Sequence, residues 1–160
     1  MPHLDAVNNF AQWLARDRDL ADDIVQDAML RAFRAFDRIR NEDAKPWLMQ
    51  IVRNCHRTAI AQRNRRGHVP LPEEDNASMA TEGPDPEAAA VSASESRKLE
   101  IAIATLPQEF RETLILRELE ELSYREIADI VGIPIGTVMS RLARARAMLR
   151  EEWLGGDDLH

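Results

Sequence analysis

The chain has 160 residues and a formal net charge of −7, from 21 Lys and Arg against 28 Asp and Glu; 44% of residues are hydrophobic and 5% aromatic. Length admits one domain or two small ones, and the mixture of apolar and charged residues excludes both a fully disordered chain and an oily enzyme core. A single cysteine excludes a disulfide framework, and no apolar run approaches the roughly 18 residues of a membrane span, so a soluble protein of the reducing cytoplasm is expected. On net charge alone, nucleic acid is an unpromising partner.

The charge is unevenly spread. Residues 1–66 carry +3, residues 67–96 carry −7 without one Lys or Arg, and residues 97–160 carry −3. Arg53 to Arg66 holds five Arg and no acid, and Gly136 to Arg150 holds four Arg and no acid. Local patches, not the sum, set the field that a phosphate backbone meets. The acidic stretch 67–96 combines Pro, Gly, Ser and carboxylates with few large apolar residues. It cannot bury enough surface to offset its ordering entropy and is expected to be a flexible linker. Neither flanking lobe shows sustained alternation or a hairpin signal, so the expected fold is all-α: two small helical domains joined by a flexible acidic linker.

In the first lobe, helical spacing from Leu20 to Phe36 gathers Val25, Ala28, Met29, Ala32 and Phe36 on one face, with Asp23, Gln26, Asp27, Leu30 and Arg34 opposite. Leu30 stands apolar among acids there, either as a lone exposed Leu or as part of a contact surface. The next helix is expected from about Asp43, with Pro46 in its first turn. Leu48, Ile51, Val52, Cys55 and Ala59 form its core face, with Cys55 a buried free thiol. Arg53, Arg57 and Arg63 project from the other side near Gln50 and Asn54. Such a stripe is a solvated helix face or a phosphate track.

The second lobe opens with Leu99, Ala102, Ile103 and Leu106 at helical spacing, stopped by Pro107, and continues with a helix from about Gln108 to Glu118. Ser123 and Glu126 have capping-box spacing. Ile127, Ile130 and Val131 give a short helix its core face, Gly132 is placed to end it, and a basic helix starts near Gly136. Short helix, Gly-containing turn and longer basic helix spell a helix-turn-helix. On the basic helix, Val138, Leu142, Ala145 and Leu149 face inward. The opposite arc carries Met139, Ser140, Ala143, Arg144 and Ala147, flanked by Arg141 and Arg146. Arg144 suits a bidentate contact to guanine, Met139 a thymine methyl, and Ser140 a base or a phosphate; the alternative is a solvated basic helix in a bundle. With few phosphate contacts and a tethered acidic competitor, the free protein is expected to bind DNA weakly.

These stretches resemble a known family. DRDLADDIVQDAMLRAFRAFDRIR and KPWLMQIVRN are similar to regions 2.2 and 2.3–2.4 of bacterial RNA polymerase sigma factors of the extracytoplasmic-function group. LPQEFRETLILRELEELSYREIADIVGIPIGTVMSRLARARAML is similar to their regions 4.1 and 4.2. The resemblance implies a region 2 domain over 1–66, the linker over 67–96 and a region 4 domain over 97–160. It implies that Asp23, Gln26, Asp27 and Leu30 dock on the clamp helices of the largest subunit of core RNA polymerase. It implies that Asn54 reads a base of the minus-ten promoter element, with Arg53 and Arg57 on the backbone. Trp47 matches a tryptophan near the melted strand, or is a buried core residue. For the minus-35 element it implies Thr137, Met139, Ser140, Arg141, Ala143, Arg144 and Arg146. An anti-sigma factor is the expected regulator, and no cofactor is implied.

The sequence departs from the family pattern at four places. Many relatives have Lys or Arg at Met139 and a larger side chain at Ala143. Ile39-Arg40-Asn41 replaces a frequent Phe-Arg-Gly in a loop that captures a flipped base, and the segment before Asp17 is short. Two other readings compete: a stand-alone helix-turn-helix regulator, which leaves the Leu30 surface unexplained, and a sigma mimic that sequesters an anti-sigma factor. An enzyme fits least, since the four His and Cys55 lack zinc spacing and no glycine-rich phosphate loop is present.

Overall fold

A computed structural model describes residues 3–35, 44–66 and 86–157. These residues form seven helices and no strand: α1 (Leu4–Ala15), α2 (Arg18–Arg34), α3 (Ala44–Arg65), α4 (Pro86–Ala104), α5 (Gln108–Glu118), α6 (Tyr124–Val131) and α7 (Ile135–Asp157). The segment before Asp17, short as it is, still makes a helix of 12 residues that buries Val7, Phe10, Ala11, Trp13 and Leu14. Its C-cap, Arg16, is left-handed and donates its amide to Gln12 O. Asp17 then caps α2, its carboxylate accepting from the amides of Asp19 and Leu20. Arg63, near the end of α3, reaches back to the same carboxylate at 3.2 Å.

Within the first lobe, α1, α2 and α3 pack pairwise. The α2 core row is Leu20, Ala21, Ile24, Ala28 and Ala32, with Val25 and Met29 at its margin. The stripe centred on Val25 and Met29 is therefore rotated slightly; Phe36 lies outside the described residues. Helix α3 buries Leu48, Met49, Val52, Cys55 and His56, with Ile51 and Ala59 half-buried. The expected linker is shorter than 67–96, because 86–96 belong to α4. Pro86 occupies a first helical position, where its missing amide costs nothing, and the following Ala-rich run favours helix. Residues 67–85 and the Ile39-Arg40-Asn41 loop lie outside the described residues.

The second lobe follows its local signals closely. Helix α5 spans Gln108–Glu118. Ser123 Oγ accepts from the Glu126 amide at 3.1 Å while the Glu126 carboxylate accepts from the Ser123 amide at 2.8 Å. Gly132, at φ 77°, ends α6 in the left-handed region where a side chain would be strained. Val138, Leu142 and Ala145 of α7 are fully buried.

The two lobes do not stand apart. Helix α5 packs on α1, α3 packs on α6, and one apolar cluster runs through both lobes. Polar bonds stitch the seam. Arg111 Nε donates to Trp13 O at 3.1 Å while its Nη1 donates to Leu106 O at 3.0 Å and Ala104 O at 3.4 Å. Arg53 Nε and Nη2 donate to the two carboxylate oxygens of Glu112 at 3.0 and 3.3 Å. Lys45 Nζ donates to Glu120 O at 2.7 Å. The His56 ring is buried at this seam, with Gln108 Nε2 3.4 Å from its Nδ1. Burial first, then the charges of Arg111 and Arg53, lowers the His56 pKa to about 4.

Two expectations follow from this packing. Removing the cap hydroxyl with Ser123→Ala should lower unfolding stability by about 1 kcal/mol, read by denaturant titration. At His56, the unfolded chain takes up a proton near the ordinary 6.5, whereas the folded chain resists it down to about 4. Stability should therefore fall as pH drops through that window, by up to about 1.4 kcal/mol per unit. His56→Gln should show a shallower fall; equal slopes would mean that the ring is not held neutral.

Candidate nucleic-acid interface

Helix α7 begins after Ile133-Pro134, and Ile135, Gly136, Met139 and Ser140 at its start are exposed. Met139 is 54% exposed, and Ser140, Ala143 and Arg144 share its outward face. Thr137 is half-buried, and its carbonyl accepts from Ser140 Oγ at 3.1 Å. The Arg144 guanidinium lies 5.5 Å from the Phe110 ring centroid, a cation–π distance that holds the long stem while its donors stay exposed. Arg146 is held by Glu118 at 2.7 Å, but both partners are about half exposed, so the pair costs little to exchange for a phosphate. Ile135, also exposed, sits one turn before Met139 and extends the apolar edge of this face. Such a face can enter a major groove with apolar and guanidinium contacts side by side.

On α3 the basic stripe is partly consumed. Arg57 is exposed and Asn54 beside it is exposed as well. Arg53, expected to project with them, is instead turned onto Glu112 with only 14% of its side chain exposed. Arg63 is tied to Asp17. The physical reason is that a guanidinium beside a buried carboxylate gains more from a forked pair than from water. Trp47 is half-buried and packs against the apolar cluster.

On α2, Asp23, Gln26, Asp27 and Leu30 form one outward row, as their spacing requires, with Leu30 58% exposed. Asp27 pairs with Arg31 one turn on at 3.1 Å. The reading missed Phe33, 83% exposed and one turn beyond Leu30. Two large apolar side chains in solvent on one helix make a patch rather than a stray residue; the signal was the Leu30–Phe33 spacing. Beneath this row, burial and the adjoining Asp27 carboxylate push the Cys55 thiol up to about 11, so it stays protonated and inert. Among the described residues no cluster of His, Cys, Asp and Glu is arranged to hold a metal ion, and no helix is long and apolar enough to cross a membrane.

The comparisons with known proteins agree with this arrangement. A model of Sigma-70 region 2 matches residues 1–66, and one of Sigma-70 region 4 matches residues 96–149. The chain is 33% identical over 149 residues to the ECF RNA polymerase sigma factor SigE of Mycolicibacterium smegmatis, covering 93% of this chain but 58% of that protein. It is 36% identical over 131 residues to the ECF RNA polymerase sigma-E factor of Escherichia coli K12, covering 78% of this chain and 69% of that one. Among solved structures, the sigma factor RpoE in complex with the anti-sigma factor NepR from Bartonella quintana superposes with a TM-score of 0.75 at 28% identity, covering 94% of this chain and 91% of that chain. CnrH, solved with the cytosolic domain of CnrY, shares the fold at a TM-score of 0.64 and 22% identity, covering 98% and 84%. With both sigma regions matched in order and a 36%-identical relative covered over 69% of its length, the chain belongs to the ECF family of RNA polymerase sigma factors.

Proposed function

We propose that the chain binds core RNA polymerase in the cytoplasm and directs promoter-specific initiation, as a non-enzymatic factor controlled by an anti-sigma factor. Residues 1–66 carry polymerase binding and minus-ten recognition, and 97–160 carry minus-35 recognition. The observation that carries this reading is the presence, in one chain, of two surfaces with different chemistry. One is the acidic-apolar row of α2, which suits a protein partner; the other is the basic outward face of α7, which suits DNA. A stand-alone operator-binding regulator has use for the second surface only.

In this reading Asp23, Gln26, Asp27 and Leu30, joined by Phe33, contact the clamp helices of the largest polymerase subunit. The apolar pair supplies the buried anchor and the polar residues its rim. Asn54 reads a minus-ten base with Arg57 and Arg53 on the backbone, and Trp47 borders the melted strand. Met139, Ser140, Ala143 and Arg144 face minus-35 bases, while Thr137, Arg141 and Arg146 flank them. With Met139 where many relatives carry Lys or Arg and Ala143 where they carry a larger side chain, the base contacts rest mainly on Arg144 and on apolar contact. The solved pairing of RpoE with NepR supports an anti-sigma partner of this kind.

Gln26→Ala with Asp27→Ala should weaken binding to core polymerase about tenfold while leaving the helical content unchanged; unaltered binding removes the α2 assignment. Arg144→Ala should lower run-off transcription from a promoter library about tenfold or more, since a bidentate base contact is worth roughly 1–3 kcal/mol, with core binding retained. Equal loss of both would point to misfolding. Sequence-specific gel shift by the free chain at physiological salt would favour the stand-alone regulator.

A further inference from the structure

We infer that the minus-35 element is read chiefly through its thymine methyl groups: Ile135 and Met139 of α7 bind 5-methylpyrimidines, and Arg144 adds one guanine. The inference rests on the proposed minus-35 role of α7 and names the class of DNA sequence that this surface selects. Ile135 is 45% exposed and Met139 54%, one helical turn apart. Ala143, the next residue of the same row, is exposed too. Two large apolar side chains held side by side in water form a patch that gains by being covered.

The surroundings of the patch select its partner. From Gly136 to Arg150 the helix carries four Arg and no acid. The partner is therefore polyanionic and offers apolar groups between its charges. An anionic membrane surface fits badly, because Val138, Leu142 and Ala145 are buried in the lobe and the apolar strip left outside is one residue wide. A major groove fits: phosphates border it, and the apolar group displayed on its floor is the thymine methyl.

Polar readout on this face is scarce. Ser140 Oγ donates its proton to Thr137 O at 3.1 Å, which leaves the hydroxyl only acceptor lone pairs for a base. Arg146 is engaged by Glu118 at 2.7 Å and suits a phosphate. Arg144 has an exposed guanidinium braced 5.5 Å from the Phe110 ring centroid. A helix rises about 1.5 Å per residue, so Met139 lies about 6 Å beyond Ile135, and Arg144 about 7.5 Å beyond Met139. With base pairs stacked about 3.4 Å apart, the row spans neighbouring base pairs in one stretch of groove. The methyl-bearing bases lie at the Ile135 end of that stretch and the guanine at its Arg144 end. Each methyl covered is worth roughly fourfold in affinity, so two of them rival one bidentate guanine contact.

The test uses the full chain with core polymerase on promoters randomised across the minus-35 element. Recovered promoters should carry thymines beside one guanine. Met139→Gln, which keeps the length of an exposed side chain, should lose a thymine preference and keep the guanine. A recovered promoter is then rebuilt with deoxyuridine for those thymines, which removes the methyl groups alone. Transcription at subsaturating holoenzyme should fall about fourfold per position, and Met139→Gln should no longer respond at the position it contacts. A cytosine placed there should regain about the same factor in the parent when it is 5-methylated. Indifference to deoxyuridine, or recovered promoters without thymine, overturns the methyl readout while α7 remains the reader. Promoters with no minus-35 preference, or a preference that Arg144→Ala and Met139→Gln both leave intact, defeat the reading of α7 itself. Loss of core polymerase binding in Met139→Gln, with the thymine preference kept, assigns the patch to a protein partner and overturns the inference.

Discussion

Helix α5 has no free side. From Phe110 to Leu116 seven consecutive residues are buried, and three of them, Arg111, Glu112 and Thr113, are polar. A helix buried all round must find partners in every direction. The helix packs on α7, α1 and α6, and Thr113 satisfies its hydroxyl on Glu109 O. Glu112 is met by Arg53 of the first lobe, and Arg111 reaches Trp13 O there while also donating to Leu106 O and Ala104 O in its own lobe. The orientation of the two lobes therefore follows from what α5 cannot bury by itself.

Much of the local architecture was legible because its causes are local. The capping box, the Gly132 stop and the Gln108–Glu118 helix each depend on residues a few positions apart. The outward rows of α2 and α7 follow from helical spacing alone. What could not be read is the seam. Arg53, Glu112 and Arg111 are residue types that ordinarily face water, and a wheel drawn for each helix in isolation assigns them to solvent. Their partners lie 59 and 98 residues away in the chain, a relation that no periodicity encodes. His56 was hidden for the same reason: helical spacing turns Cys55 inward, and its neighbour meets Gln108 of the second lobe.

The acidity of the chain takes on a definite distribution in this light. The segment 67–96 looked like the natural competitor for the basic stripes, yet on Arg53 the competing anion is a rigid helix carboxylate, already desolvated and correctly aimed. Glu118 does the same for Arg146 in a weaker, solvent-screened form. Carboxylates held by folded elements neutralise single Arg side chains at defined places, as Glu112 and Glu118 do.

Arg111 joins structures that belong to different lobes. Its donors reach carbonyls in the last turn of α1, at Trp13, and at the close of α4, at Ala104 and Leu106. Those are the negative ends of two helix dipoles, where a buried cation is well placed. The first lobe is consequently completed by the second: cut free of it, the first would keep its apolar interior but lose the side chain that finishes α1. Stabilities measured on the severed halves should not add up to that of the whole, and the deficit would be concentrated at the C-terminal end of α1, since the end of α4 keeps Arg111.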